Sequence, residues 1–146
     1  MSIKSFNPKA ADAVNWITKA GTYEVTVSAF AAKYTKNADY YAKFTFVTDA
    51  GDATNGVIYV KPDRNGNHIG LESFMAATAT DEEIKEYVDA GEINVDEGFL
   101  DRIANRSKGR RLIVVVTERE YEKDGQKKKV CEASYFRRLP DGPGPF

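Results

Sequence analysis

The hydrophobic period of the chain changes twice. From Thr22, the apolar residues Tyr23, Val25 and Val27 alternate with Thr22, Glu24, Thr26 and Ser28. That period of two marks a half-buried strand, which continues loosely to Tyr34. Thr35-Lys36-Asn37-Ala38-Asp39 supplies turn chemistry. A second strand over 40–48 puts Tyr40, Ala42, Phe44 and Phe46 on one face, with Tyr41, Lys43 and Thr45 on the other. Asp49-Ala50-Gly51-Asp52 turns the chain, and 56–61 reads as a third strand. Ahead of this meander, residues 1–20 form a polar lead-in with one short helical turn expected around 10–18, carrying Trp16 and Ile17.

After Pro62-Asp63-Arg64-Asn65-Gly66-Asn67 the spacing becomes helical. Ile69, Leu71, Phe74, Met75 and Ala77 form a first piece. Thr80 with Glu83 is a capping-box pattern opening a second at 81–88, which Gly91 stops. Phe99, Leu100 and Ile103 mark a third, ending near Gly109. Pieces this short lead us to expect one or two true helices. The period then returns to two. Leu112-Ile113-Val114-Val115-Val116 is a β-branched run suited to a central strand within 110–118, Asp124-Gly125 signals a tight hairpin, and 127–138 is the fifth strand. Three strands, a helical insert and a two-strand hairpin give a mainly β fold. The expected architecture is a five-stranded antiparallel OB-type barrel with the insert between strands 3 and 4, since a sheet this small must close or be covered. The barrel domain covers 1–139, and the Pro- and Gly-rich 140–146 is expected as a flexible tail.

Composition adds few restraints. The 146 residues are 42% hydrophobic and 29% charged, with net charge −1, as in an ordinary globular domain. The start lacks the apolar stretch of a signal peptide, and no run approaches a membrane span, so no membrane partner is expected. The lone Cys131 suits a reducing cytoplasm. One histidine, His68, and one cysteine leave no catalytic pair or metal cluster to assemble. No enzyme activity, metal or cofactor is therefore expected. A monomer or a dimer fits the sequence equally well.

The distribution of charge is more informative than its sum. Residues 81–101 hold nine acids against Lys85, a net −8, which leaves +7 on the rest of the chain. The cations there interleave with aromatics on the strands. Rings on which bases stack, with cations that follow phosphates, are what a single-strand binder needs. The candidate DNA-binding residues are Lys33, Tyr34, Lys36, Tyr41, Lys43, Tyr59, Lys61, Arg64, Arg111, Tyr121, Lys127, Lys129 and Arg137. Tyr41 is the best stacking candidate, because Lys43 and Thr45 share its face.

Three segments carry a resemblance: Gly21-Thr22-Tyr23-Glu24-Val25-Thr26-Val27, Tyr41-Ala42-Lys43-Phe44-Thr45-Phe46, and Ser107-Lys108-Gly109-Arg110-Arg111-Leu112-Ile113-Val114-Val115. Over roughly 20–139 the chain resembles phage-encoded single-stranded DNA-binding proteins. The resemblance implies sequence-nonspecific binding and protection of single strands in replication, recombination or repair. The ending Gly144-Pro145-Phe146 is similar to the partner-docking tip of that family, which implies contacts of Pro145 and Phe146 with replication or repair proteins. Only Asp141 is acidic in this tail, unlike the acidic tails of the family. Two other readings give the acidic 81–101 insert the active role: a protein-binding β-barrel module, viral inhibitor or structural protein, or a magnesium-dependent nuclease.

Overall fold

The computed structural model describes residues 1–6, 8 and 14–144. Its strands are β1 (Asn15–Trp16), β2 (Gly21–Tyr34), β3 (Tyr40–Val47), β4 (Asp52–Tyr59), β5 (Arg111–Lys123) and β6 (Gln126–Arg137). Between β4 and β5 lie α1 (Ile69–Thr78), α2 (Asp81–Ala90) and α3 (Glu97–Ser107). The order of meander, insert and hairpin follows the sequence pattern. Two expectations need correction. The sheet has six strands, in the order β1-β4-β3-β2-β5-β6, and β1 runs parallel to β4, so it is mixed. The helical turn expected around 10–18 is, within the described residues, this short strand instead, secured by the Ile17 amide donating to the Ala53 carbonyl at 2.8 Å. Two residues are too few for alternation to show, so the spacing of Trp16 and Ile17 alone suggests a helical turn.

All three helical pieces fold. Thr80 and Glu83 close the capping box of α2 in both directions, and Asp96 caps α3 through the Phe99 amide. Satisfying otherwise orphaned N–H groups in this way stabilises a helix by about 1 kcal/mol per cap. α1 lacks a side-chain cap and is held by its buried Leu71, Phe74 and Met75 instead.

The sheet curls into a half-barrel around one core. Val25 and Val27 of β2, Ala42, Phe44 and Phe46 of β3, Ile58 of β4 and Leu112, Val114 and Val116 of β5 point inward. α1 fills the barrel with Leu71, Phe74 and Met75, and the Phe74 ring lies 4.5 Å from Phe44 and 5.4 Å from Phe136. Burying one such ring contributes about 1.5–3 kcal/mol. β4 and β6 come together without a hydrogen-bonded ladder. They meet at Gly56, where an added Cβ would sit 3.0 Å from the Phe46 ring and 3.2 Å from the Ala133 carbonyl. Only a residue without a side chain lets the two walls approach so closely.

Bulges shift the pleat in two places, at Ser28 on β2 and at Ser134 on β6. Past Ser28 the inward set becomes Phe30, Ala32 and Tyr34, opposite Phe44, Ala42 and Tyr40. The segment after β6 packs on the sheet rather than leaving it. Leu139 is buried, and the Pro143 carbonyl accepts from the Arg111 amide at 2.8 Å. Of the segment expected as a free tail, Pro143 and Gly144 thus meet Arg111, the first residue of β5; Pro145 and Phe146, the expected docking tip, are outside the described residues.

Candidate nucleic-acid interface

The strand registers sort the cations and rings onto two faces. On the outer face of β3 and β4, Tyr41 stands opposite Tyr59, Lys43 opposite Val57, and Thr45 opposite Asn55. The next strand continues this face with Lys33 opposite Tyr41 and Ala31 opposite Lys43. The rings of Tyr41 and Tyr59 are 5.5 Å apart and inclined by 40°, and Tyr59 is 47% exposed. Across from them the β5–β6 hairpin brings Arg119, Tyr121, Val130 and Glu132. Together these walls enclose an open groove of about 450 Å³ along the seam between β4 and β6.

Within the hairpin the two-residue Asp124-Gly125 turn fixes what faces the groove. Tyr121 pairs with Lys128, and Arg119 with Val130. The Arg119 guanidinium lies 5.9 Å from the Tyr121 ring centroid and pairs with Glu132 at 3.0 Å. Lys127 and Lys129 alternate with Lys128 and so face the reverse side. There they stand across from Glu122 and Glu120, and Lys129 pairs with Glu118 at 3.2 Å. Two of the sequence candidates are thus replaced on the groove by Lys128 and Arg119. The Asp-Gly turn signal already contained this register.

The remaining candidates divide as well. Tyr34 points to the inner side, because the Ser28 bulge shifts its phase. Its hydroxyl donates to Glu97 at 2.8 Å and its ring lies 5.0 Å from Tyr40, which donates to Asp101 at 2.6 Å. The Asp101 hydrogen bond pushes the Tyr40 phenol up to about 12, and the Glu97 bond raises that of Tyr34. Lys61 pairs with Asp39 at 3.8 Å beyond Tyr59. Lys36 and Arg64 are exposed in turns. Arg111 and Arg137 lie on the outer face of the hairpin base, away from the groove, and Arg111 is held by Glu24 at 3.6 Å and Asp49 at 3.5 Å. Tyr135, 63% exposed, shares their face.

The acidic insert is turned the other way and is partly neutralised there. Glu83 takes Arg110 in a short ion pair and Arg106 at 3.5 Å, Glu86 takes Arg106 at 3.9 Å, and Asp81 takes Arg138 at 3.0 Å. Burial alone would raise the Glu83 carboxyl, but hydrogen bonds from Arg110 and the Thr80 amide outweigh it and hold the group below its usual range. Three arginines are occupied on this side, while Lys33, Lys43, Arg119 and Lys128 line or flank the groove. Among the described residues no group of three His, Cys, Asp or Glu side chains is placed to hold a metal ion. No helix among them is long and apolar enough to cross a membrane.

No protein-family model matches the chain, and neither does any curated protein. Among solved structures it is similar to the Plasmodium falciparum SSB complex with ssDNA, at 16% identity and a TM-score of 0.32, covering 91% of this chain and 88% of that one. At that overlap the likeness assigns neither fold nor ligand.

Proposed function

We propose that the chain is a non-enzymatic single-stranded DNA-binding protein. On this reading it holds the strand without reading its sequence and protects it during replication, recombination or repair. The strand lies in the groove between the β3–β4 face and the β5–β6 hairpin of an OB-type half-barrel. The observation that carries the reading is the Tyr41–Tyr59 ring pair, which opens onto a groove flanked by Lys33, Lys43, Arg119 and Lys128. In OB folds oligonucleotides bind across the face of the meander's second and third strands and the loop of the last hairpin, which are the same elements.

The chemistry is passive. Each tyrosine ring takes the face of a base, worth about 1–3 kcal/mol per base, and each cation displaces counterions from a phosphate. Because every base has a π-face, stacking on Tyr41 and Tyr59 discriminates little among them. Separation of charge resolves the conflict with the net charge of −1. Within the insert, Asp81, Glu83 and Glu86 are paired with arginines, and Glu97 and Asp101 are engaged by Tyr34 and Tyr40 on the opposite face of the sheet from Tyr41. Moderate salt further screens exposed charges more than about 10 Å away.

A titration with oligo-dT at low and high salt tests the proposal. Four phosphate contacts predict a slope of about −3 in log affinity against log salt, at ~0.7 per contact for a single strand. Absence of binding at low salt, or affinity indifferent to salt, refutes it. Duplex and RNA competitors in the same assay define the preferred strand.

A further inference from the structure

The sole tryptophan, Trp16, is half exposed on the two-residue edge strand β1. Its place on the sheet follows from two observations. β1 sets Trp16 opposite Ala53, and in a parallel ladder such partners project to the same face. Ala53 in turn stands opposite Val47, on the face that carries Thr45, Lys43 and Tyr41. The following residue, Ile17, is buried in the core on the opposite side, as alternation requires. Trp16 therefore shares the outer face of β3 and β4 with the Tyr41–Tyr59 pair and stands at the other end of it. The run from Ala53 to Tyr59 covers about 20 Å at ~3.3 Å per residue.

The electrostatics of the two ends differ. Lys33 and Lys43 flank the tyrosine pair, whereas the Trp16 end carries the exposed Asp49 and Asp52, and Arg111 there is already held by Glu24 and Asp49. A large indole half in water offers a stacking surface, and these carboxylates repel a phosphate. Building on the single-stranded DNA reading above, we infer that Trp16 is a second base-binding subsite, one that stacks a nucleobase without gripping its phosphate. The strand then runs from the groove along the β3–β4 face, with the tyrosine end supplying the salt-sensitive attachment and the tryptophan end a salt-insensitive one.

The test uses the full chain and an oligo-dT of about 12 nucleotides, within the ~4–16 that an OB fold occupies. Anisotropy of an end-labelled strand reports all binding, and tryptophan emission, titrated separately with unlabelled strand, reports Trp16 alone. Emission should be quenched with the same midpoint as the anisotropy change. Trp16→Ala should lower affinity roughly 5- to 150-fold, the span of one base–aromatic stack, by the same factor at low and high salt. Trp16→Phe, which keeps a ring on the strand, should retain most of the affinity and controls for loss of β1. Binding by anisotropy with unmoved emission, or wild-type affinity in Trp16→Ala, overturns the subsite and leaves the groove reading standing. No binding of the wild-type chain at low salt fails the groove reading, and the subsite with it.

Discussion

Lys127 and Lys128 are neighbours in the chain, yet the β5–β6 ladder sends them to opposite faces. Lys128 stands across from Tyr121 on the groove, and Lys127 across from Glu122 on the reverse side. Replacing each in turn with Gln removes one charge from the same four-residue stretch of an exposed hairpin, with the same change in net charge. If Lys128 meets a phosphate, its loss reduces the salt slope by about 0.7, so affinity at ~0.1 M salt falls about fivefold relative to a ~1 M reference. Lys127→Gln removes a charge balanced by its glutamate neighbours and leaves both slope and affinity unchanged. Oligo-dT titrations of the two variants at several salt concentrations measure the difference directly. Equal losses would refute the facing argument, because they would mean that the hairpin acts through its summed charge. A larger loss for Lys127→Gln would place the strand on the other side of the sheet.

Three further outcomes follow from the packing. Arg110→Ala strips Glu83 of its closest cation but leaves Arg106 at 3.5 Å, so the loss, read as a lower denaturation midpoint, should fall below the ~3–5 kcal/mol of an orphaned buried charge. Because the folded Glu83 carboxyl is held below its unfolded value, its stabilisation is complete above the ordinary glutamate range. It is lost as pH falls through the lowered value, so the wild-type advantage over Arg110→Ala should shrink in acid. Gly56→Val forces a side chain into the 3.0–3.3 Å gap between Phe46 and Ala133; an overpacking cost of about 1–3 kcal/mol should appear in thermal melts. Tyr40→Phe removes the phenol that the Asp101 hydrogen bond pushes up to about 12, so the most alkaline part of the tyrosinate absorbance titration should lose one tyrosine's amplitude, with Tyr34 still titrating above the ordinary range, while DNA affinity is unchanged.

Alternation and capping made much of this architecture readable in the sequence. The inward Ala42, Phe44 and Phe46, the Thr80–Glu83 box and the Asp124-Gly125 turn are local signals, each with a single physical outcome. What could not be read depends on partners distant in the chain. β1 exists because β4 offers it an edge, and no period can be seen in two residues. A single Ser28 without Gly or Pro beside it does not announce a bulge, so the phase set by Tyr23, Val25 and Val27 gives the wrong side for Tyr34. Pro143 packs because β5 passes beneath it, whereas composition alone suggests a free tail. The groove cations were partly legible: counting outward from the hairpin turn selects Lys128 over Lys127 and Lys129.

The seam beside the groove has a mechanical consequence. No strand pairing joins β4 to β6, and β5 is laddered to β2 only as far as Val116, so the outer part of the hairpin, from Thr117 to Glu132, borders the groove without a backbone ladder to the meander. Opening of the groove is resisted there by side-chain contacts such as those at Gly56 and Ala133, and at the hairpin base by the β2–β5 ladder. On the proposed reading, a cleft whose outer wall yields in this way would admit purines and pyrimidines alike, so that indifference to sequence would come from compliance as much as from chemistry.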